Sequence, residues 1–139
     1  MSAQPLSILL IEQDPIETAL IQTVFDARHP QVDLRHVLDA HAAWQHLESQ
    51  SLPDLIIFNP PNVLDLDFLI EIKQRQGLMQ IPLIVLTGSK YDLEVYRAYE
   101  AHANAYVWRP VNLAEYEELF EVLIRFWRDM ARLPRQSPS

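Results

Sequence analysis

Cysteine is absent from the 139 residues, which excludes disulfides, thiolate metal sites and thiol nucleophiles. Glycine occurs only twice, at Gly77 and Gly88. A Gly-rich phosphate cradle needs several glycines close together, so nucleotide binding by that route is excluded too. Positive charge is scarce: 11 Lys and Arg stand against 19 Asp and Glu, a net charge of −8. So acidic a chain repels a phosphate backbone, and direct nucleic-acid binding is not expected. No apolar run approaches the ~18 residues that mark a membrane span. Met1 to Ser7 is polar and carries no Lys or Arg, so it lacks the form of a secretory signal. The expectation is a cytoplasmic protein without a membrane segment.

Apolar residues make up 49% and charged residues 22%, the proportions of an ordinary globular domain with a core of its own. The length fits one domain, expected over residues 7–133, with 1–6 and 134–139 as frayed termini. Five short apolar runs alternate with longer amphipathic segments. The runs are Ile8–Ile11, Val32–Val37, Leu55–Phe58, Leu83–Leu86 and Ala105–Trp108. The first, third and fourth are apolar throughout, as strands covered on both faces must be. The second alternates and carries Asp33 and Arg35, charges that suit an edge.

Between the runs the apolar spacing is helical. Asp14-Pro15 is a cap followed by a first helical residue, and Ile16, Ala19, Leu20, Thr23 and Val24 follow it. A second helix is predicted from Ala40 to Glu48 with Ala43 and Leu47 inward. A third carries Phe68, Leu69 and Ile72. A fourth starts near Tyr91, and the last runs from about Leu113 to Leu133. Five strand–helix alternations predict a flavodoxin-like (βα)5 fold, a doubly wound parallel sheet of strand order 2-1-3-4-5.

In such a sheet, ligands bind beyond the carboxyl ends of the strands. The residues placed there are Glu12, Gln13 and Asp14, then Asn59 before Pro60-Pro61, then Thr87-Gly88-Ser89, then Arg109-Pro110. The stretches Ile8-Leu-Leu-Ile-Glu-Gln-Asp-Pro15, Pro53-Asp-Leu-Ile-Ile-Phe58, Ile81-Pro-Leu-Ile-Val-Leu-Thr-Gly-Ser-Lys90 and Tyr106-Val-Trp-Arg-Pro-Val-Asn-Leu113 carry a family likeness. The chain resembles the CheY-like receiver domains of response regulators. Within them it is most similar to the small single-domain regulators that serve cyanobacterial phytochromes.

The resemblance implies a role for each strand-end residue. Glu12 keeps one member of an acidic pair that helps hold Mg²⁺, and Gln13 replaces the other. Asn59 stands where the phosphoacceptor aspartate belongs. Thr87 keeps the hydroxyl after the fourth strand, and Tyr106 the switch aromatic of the fifth. Arg109 replaces the phosphate-contacting lysine, ahead of a proline that the family joins by a cis bond. An amide is not a carboxylate nucleophile, and Mg²⁺ wants hard anionic oxygens. Deamidation offers no rescue, because succinimide closure uses the next backbone N–H and Pro60 has none. The site is therefore expected to be a degenerate one, with neither metal nor cofactor. Arg109 is expected to pair with Glu12 or Asp14 and hold it shut. The plainer roles are helix capping and N-terminal electrostatics for Glu12 and Asp14, a local turn bond for Thr87, and core filling for Tyr106.

No Ser–His–acid set stands out, and an enzyme is not expected. His29, His36, His41, His46 and His102 show no metal-ligand spacing and are read as surface or edge residues. The function expected is a phosphorylation-independent pseudo-receiver, a protein-interaction module whose partner is a signalling protein such as a histidine kinase or photoreceptor. The alternatives are phosphate acceptance at Asp65 or Asp67, or a small-ligand-binding flavodoxin-like domain. The last helix is too apolar for a one-sided surface helix. With the segments before it, it suggests a homodimer through Tyr96, Trp108, Tyr116, Phe120, Phe126 and Trp127.

Overall fold

Strands buried on both faces need helices on both sides, and the chain supplies them in alternation. The structure is a computed structural model that describes residues 5–49, 51–60, 67–87 and 103–130. In chain order the elements are β1 (Ser7–Ile11), α1 (Pro15–Arg28), β2 (Asp33–Val37), α2 (Ala40–Ser49), β3 (Leu55–Phe58), α3 (Asp67–Gln74), β4 (Leu83–Thr87), β5 (Ala105–Trp108) and α4 (Leu113–Arg125). A wider π turn, Phe126–Met130, follows α4. All strand pairs are parallel, in the order β2-β1-β3-β4-β5. This is the flavodoxin-like arrangement expected from the apolar runs. The helix foreseen near Tyr91, with Tyr96, lies outside the described residues, as do His102, Asp65 and 134–139.

Alternation along β1 divides the core. Leu9 and Ile11 face α2 and α3, where Ala43, Leu47, Phe68, Leu69 and Ile72 meet them. Ile8 and Leu10 face α1 and α4, against Ile21, Val24, Phe25, Tyr116, Phe120 and Ile124. Leu6 is buried as well, and its carbonyl accepts the Asp33 N–H at 2.8 Å. Leu6, expected in the frayed terminus, is therefore part of the packed chain.

Two expectations are corrected here. Tyr116 and Phe120 are fully buried and belong to the domain's own core, not to an interface. The phase of α4 is set by Tyr116, Phe120 and Ile124, four residues apart and all turned to the sheet. Of the other candidates, Trp108 and Phe126 are exposed, and Trp127 packs partly against the α1/α4 core. His29 is not a surface residue. It is 7% exposed, stacks at an angle on Phe25, and its Nε2 sits 3.8 Å from Glu121.

Candidate functional site

Glu12 is the first residue past β1 and is wholly buried. Parallel pairing fixes its place. Its N–H donates to the Val37 carbonyl at 3.1 Å, and the Asn59 N–H donates to the Ile11 carbonyl at 3.0 Å. β1 and β3 thus deliver Glu12 and Asn59 side by side at the carboxyl edge of the sheet. The Asn59 side-chain N–H₂ donates to both Glu12 oxygens, at 2.9 and 3.0 Å. The Asp14 N–H donates to Glu12 Oε2 at 3.1 Å. A carboxylate is costly to desolvate, and these charge-assisted bonds offset that cost. The backbone is held too: His36 Nε2 lies 2.7 Å from the Glu12 carbonyl. A carbonyl only accepts, so this imidazole nitrogen carries the hydrogen.

The other strand-end residues take separate places. Asp14 caps α1, its Oδ1 accepting the Ile16 N–H at 2.9 Å. Gln13 is exposed. The Thr87 backbone ends β4 opposite Trp108, and Tyr106 pairs with Val85. Tyr106 is half-buried and packs against the α2/α3 core, the core-filling role open to it from sequence.

Arg109 does not close the site. It makes no ion pair with Glu12 or Asp14: among the described residues the ion pairs are Arg28–Glu117, His29–Glu121, Arg35–Asp33 and Arg128–Asp129. The reason is that Glu12 is already occupied by Asn59 and by the Asp14 backbone. Arg109 Nε is buried without a hydrogen-bond partner. The Arg109–Pro110 bond is trans. The neighbouring charge is taken up elsewhere: buried Tyr116 donates its hydroxyl to Glu17. Burial first, and then that hydrogen bond, push the Tyr116 phenol well above its ordinary range, while nearby Arg109 opposes the shift. Glu17, Arg109, Trp108, Val111 and Leu119 line an open groove of about 840 Å³ between α1, α4 and the end of β5.

This donor set does not fit a divalent cation. The buried carboxylate faces N–H groups, Gln13 offers a neutral amide, and Asp14 is committed to its helix. Mg²⁺ needs anionic oxygens converging on one point. Nor can Asn59 form an acyl phosphate, because its amide has no nucleophilic oxygen anion. What the arrangement does is hold a buried carboxylate satisfied without a cation. Sequence reasoning found every member of this set but missed the Asn59–Glu12 bond. It also missed Lys73, whose Nζ donates to the Met79 and Ile81 carbonyls and Asn104 Oδ1, at 3.3, 2.7 and 3.0 Å. That clamp ties α3 to the segments before β4 and β5, and burial lowers the Lys73 pKa.

Comparison with known proteins agrees with this geometry at the level of the family. The response regulator receiver domain model matches residues 8–121. Response regulator Rcp1 of Synechocystis sp. is 33% identical over 141 residues, spanning 96% of each protein. The crystal structure of the phosphorylated cyanobacterial phytochrome response regulator RcpA superposes with a TM-score of 0.83 at 25% identity, over 94% of this chain and 99% of that one. The Mn²⁺-bound form of Rcp1 gives 0.75 at 28% identity, over 94% and 100%. The chain belongs to the response regulator receiver domain family, signalling modules of two-component systems rather than enzymes.

Proposed function

We propose that this receiver signals without phosphorylation, as a protein-interaction module. The observation that carries the reading is the Asn59 amide held against both oxygens of buried Glu12. In a phosphorylatable site two carboxylates would face each other here and call for a cation between them. An amide removes the repulsion, the need for the cation and the phosphoacceptor in one substitution. The solved relatives include one phosphorylated and one Mn²⁺-bound protein, so the proposal sets this chain apart from them. The test is incubation with acetyl phosphate and Mg²⁺ followed by intact-mass measurement. No phosphoryl adduct is expected; an adduct mapped to residues 7–133 would overturn the proposal.

The partner proposed is a sensor histidine kinase or photoreceptor, supported by the likeness to a phytochrome response regulator. Trp108, Val111 and Phe126 are exposed at 56%, 81% and 46%, apolar surface of the kind that marks an interface. Homodimerisation through this flank remains the proposed assembly, now resting on Trp108 and Phe126 rather than on Tyr116 and Phe120. Phe126→Glu is expected to yield a folded monomer in sedimentation. A wild-type monomer at micromolar concentration would instead leave the flank to the partner alone.

A further inference from the structure

We propose that two copies of this chain pair with their α4 helices antiparallel, so that Phe126 of each seats in the other's groove between α1, α4 and the end of β5. This pairing rests on the proposed homodimer and fixes its direction. The unpaired charges of α4 choose it. Glu118 and Arg125 are both exposed, and neither is in an ion pair among the described residues. They stand seven residues apart on one helix, two turns along the same face and about 10 Å from each other. That is too far for them to pair within one copy. A second α4 laid alongside in the same direction sets Glu118 against Glu118 and Arg125 against Arg125. Laid antiparallel about a two-fold axis near Val122, it sets each Glu118 opposite the other copy's Arg125, twice over.

The apolar side of the helix fits the same axis. Leu119, Val122 and Phe126 follow helical spacing on one flank of the buried face. Val122 is 61% exposed and meets its own counterpart across the axis. Leu119, partly buried against the core, meets Phe126 of the second copy. Leu119 is also a wall of the groove that Trp108, Arg109 and Val111 line, so the ring enters there. Arg109 Nε has no hydrogen-bond partner, and a guanidinium is a favourable neighbour for an aromatic ring. The register brings Asp129 toward the second copy's Glu115, and Asp129 is already paired with Arg128 at 2.9 Å. On the opposite flank, Glu117 and Glu121 face Arg28 and His29 of their own copy at 3.1 and 3.8 Å. The charges left for a second copy are therefore those on the apolar flank.

The chain has no cysteine, so introduced thiols report the direction. A mixture of Glu118→Cys and Arg125→Cys proteins is expected to form disulfide-linked dimers under mild oxidation, and either protein alone almost none. Sedimentation supplies the charge test. Glu118→Arg is expected to weaken the wild-type dimer roughly tenfold, and Arg125→Glu likewise, because each substitution acts twice across the axis. Both positions are exposed, so the fold is kept. The double swap, Glu118→Arg with Arg125→Glu, is expected to recover the wild-type affinity to within about threefold. Self-linking of the Glu118→Cys protein, or a double swap no tighter than the single ones, would overturn the antiparallel pairing and leave the homodimer standing. A wild-type monomer at micromolar concentration would overturn both.

Discussion

Glu12 and Arg109 stand at the same edge of the sheet, one past β1 and the other past β5, and their environments are opposite. The carboxylate is wholly buried and receives three hydrogen bonds from Asn59 and the Asp14 backbone. The guanidinium is half-buried and its Nε has no hydrogen-bond partner. The donors to the Glu12 carboxylate, the Asn59 amide and the Asp14 N–H, are neutral. Around Arg109 the surface opens into a groove bordered by exposed Trp108 and Val111. A receiver that must take up phosphate needs its carboxylate cluster unsatisfied until a cation arrives. Here the carboxylate is satisfied internally, and the group without a hydrogen-bond partner, Arg109 Nε, borders the groove beside exposed Trp108 and Val111.

The contrast breaks most severely at Asn59. Asn59→Asp places two buried carboxylates within about 3 Å, removes two donors from Glu12, and is expected to lower stability at pH 7 by about 3 kcal/mol. Chemical denaturation checks this. The deficit should shrink in acid, as the pair takes up a proton. Mg²⁺ should restore only part of it, because Gln13 supplies no charge, and acetyl phosphate should label the variant poorly. Efficient labelling of the single variant would show that the metal site survives.

Tyr116→Phe comes next. It removes a buried hydroxyl from Glu17 and is expected to cost about 1–2 kcal/mol in urea unfolding. The sign of its pH dependence follows from the raised phenol. Stability from a raised group is full below the unfolded value, ~10, and is lost as pH climbs above it. The wild type should therefore lose stability above pH ~10 more steeply than the variant. Equal alkaline limbs would remove Tyr116 from the account.

Arg109→Ala sharpens the flank. With no ion pair to lose, its expected effect on stability is within about 0.5 kcal/mol. A loss of about 2 kcal/mol would restore the lock that the sequence suggested.

The smallest effect belongs to His29. Burial lowers its pKa below 6.5, Glu121 works against that, and Arg128 and Arg28 reinforce it. The folded state thus binds its proton less readily than the unfolded chain. Stability falls as pH drops from about 6.5 toward the folded value, then levels. His29→Gln should flatten that shallow limb, read as the thermal midpoint between pH 7 and pH 5. An unchanged limb would assign it to other groups.

Much of this was legible in the residues. The bounds of β3 and β5, the Asp14 cap of α1, and the inward faces of α2 and α3 follow from short apolar runs and a single helical phase each. The strand-end candidates followed from the topology. The Asn59–Glu12 bond was not legible, because it depends on the β1–β3 register between residues 47 apart. The phase of α4 escaped for another reason. Leu113, Tyr116, Leu119, Phe120, Val122, Leu123 and Ile124 spread apolar character around most of the helix, so the pattern has no unique inward side. Packing chose Tyr116, Phe120 and Ile124. His29 escaped because a lone histidine carries no periodic signal.

The most direct measurement watches Asn59 itself. In amide proton–nitrogen spectra of the labelled protein, the Asn59 side-chain N–H₂ reports its bond to Glu12. The account predicts that this signal, and the backbone signals of Glu12 and Asp14, stay in place when Mg²⁺ and then acetyl phosphate are added. Displacement of those signals by Mg²⁺, followed by a second change with the phosphodonor, would show a site that opens to metal and phosphate and would contradict the account.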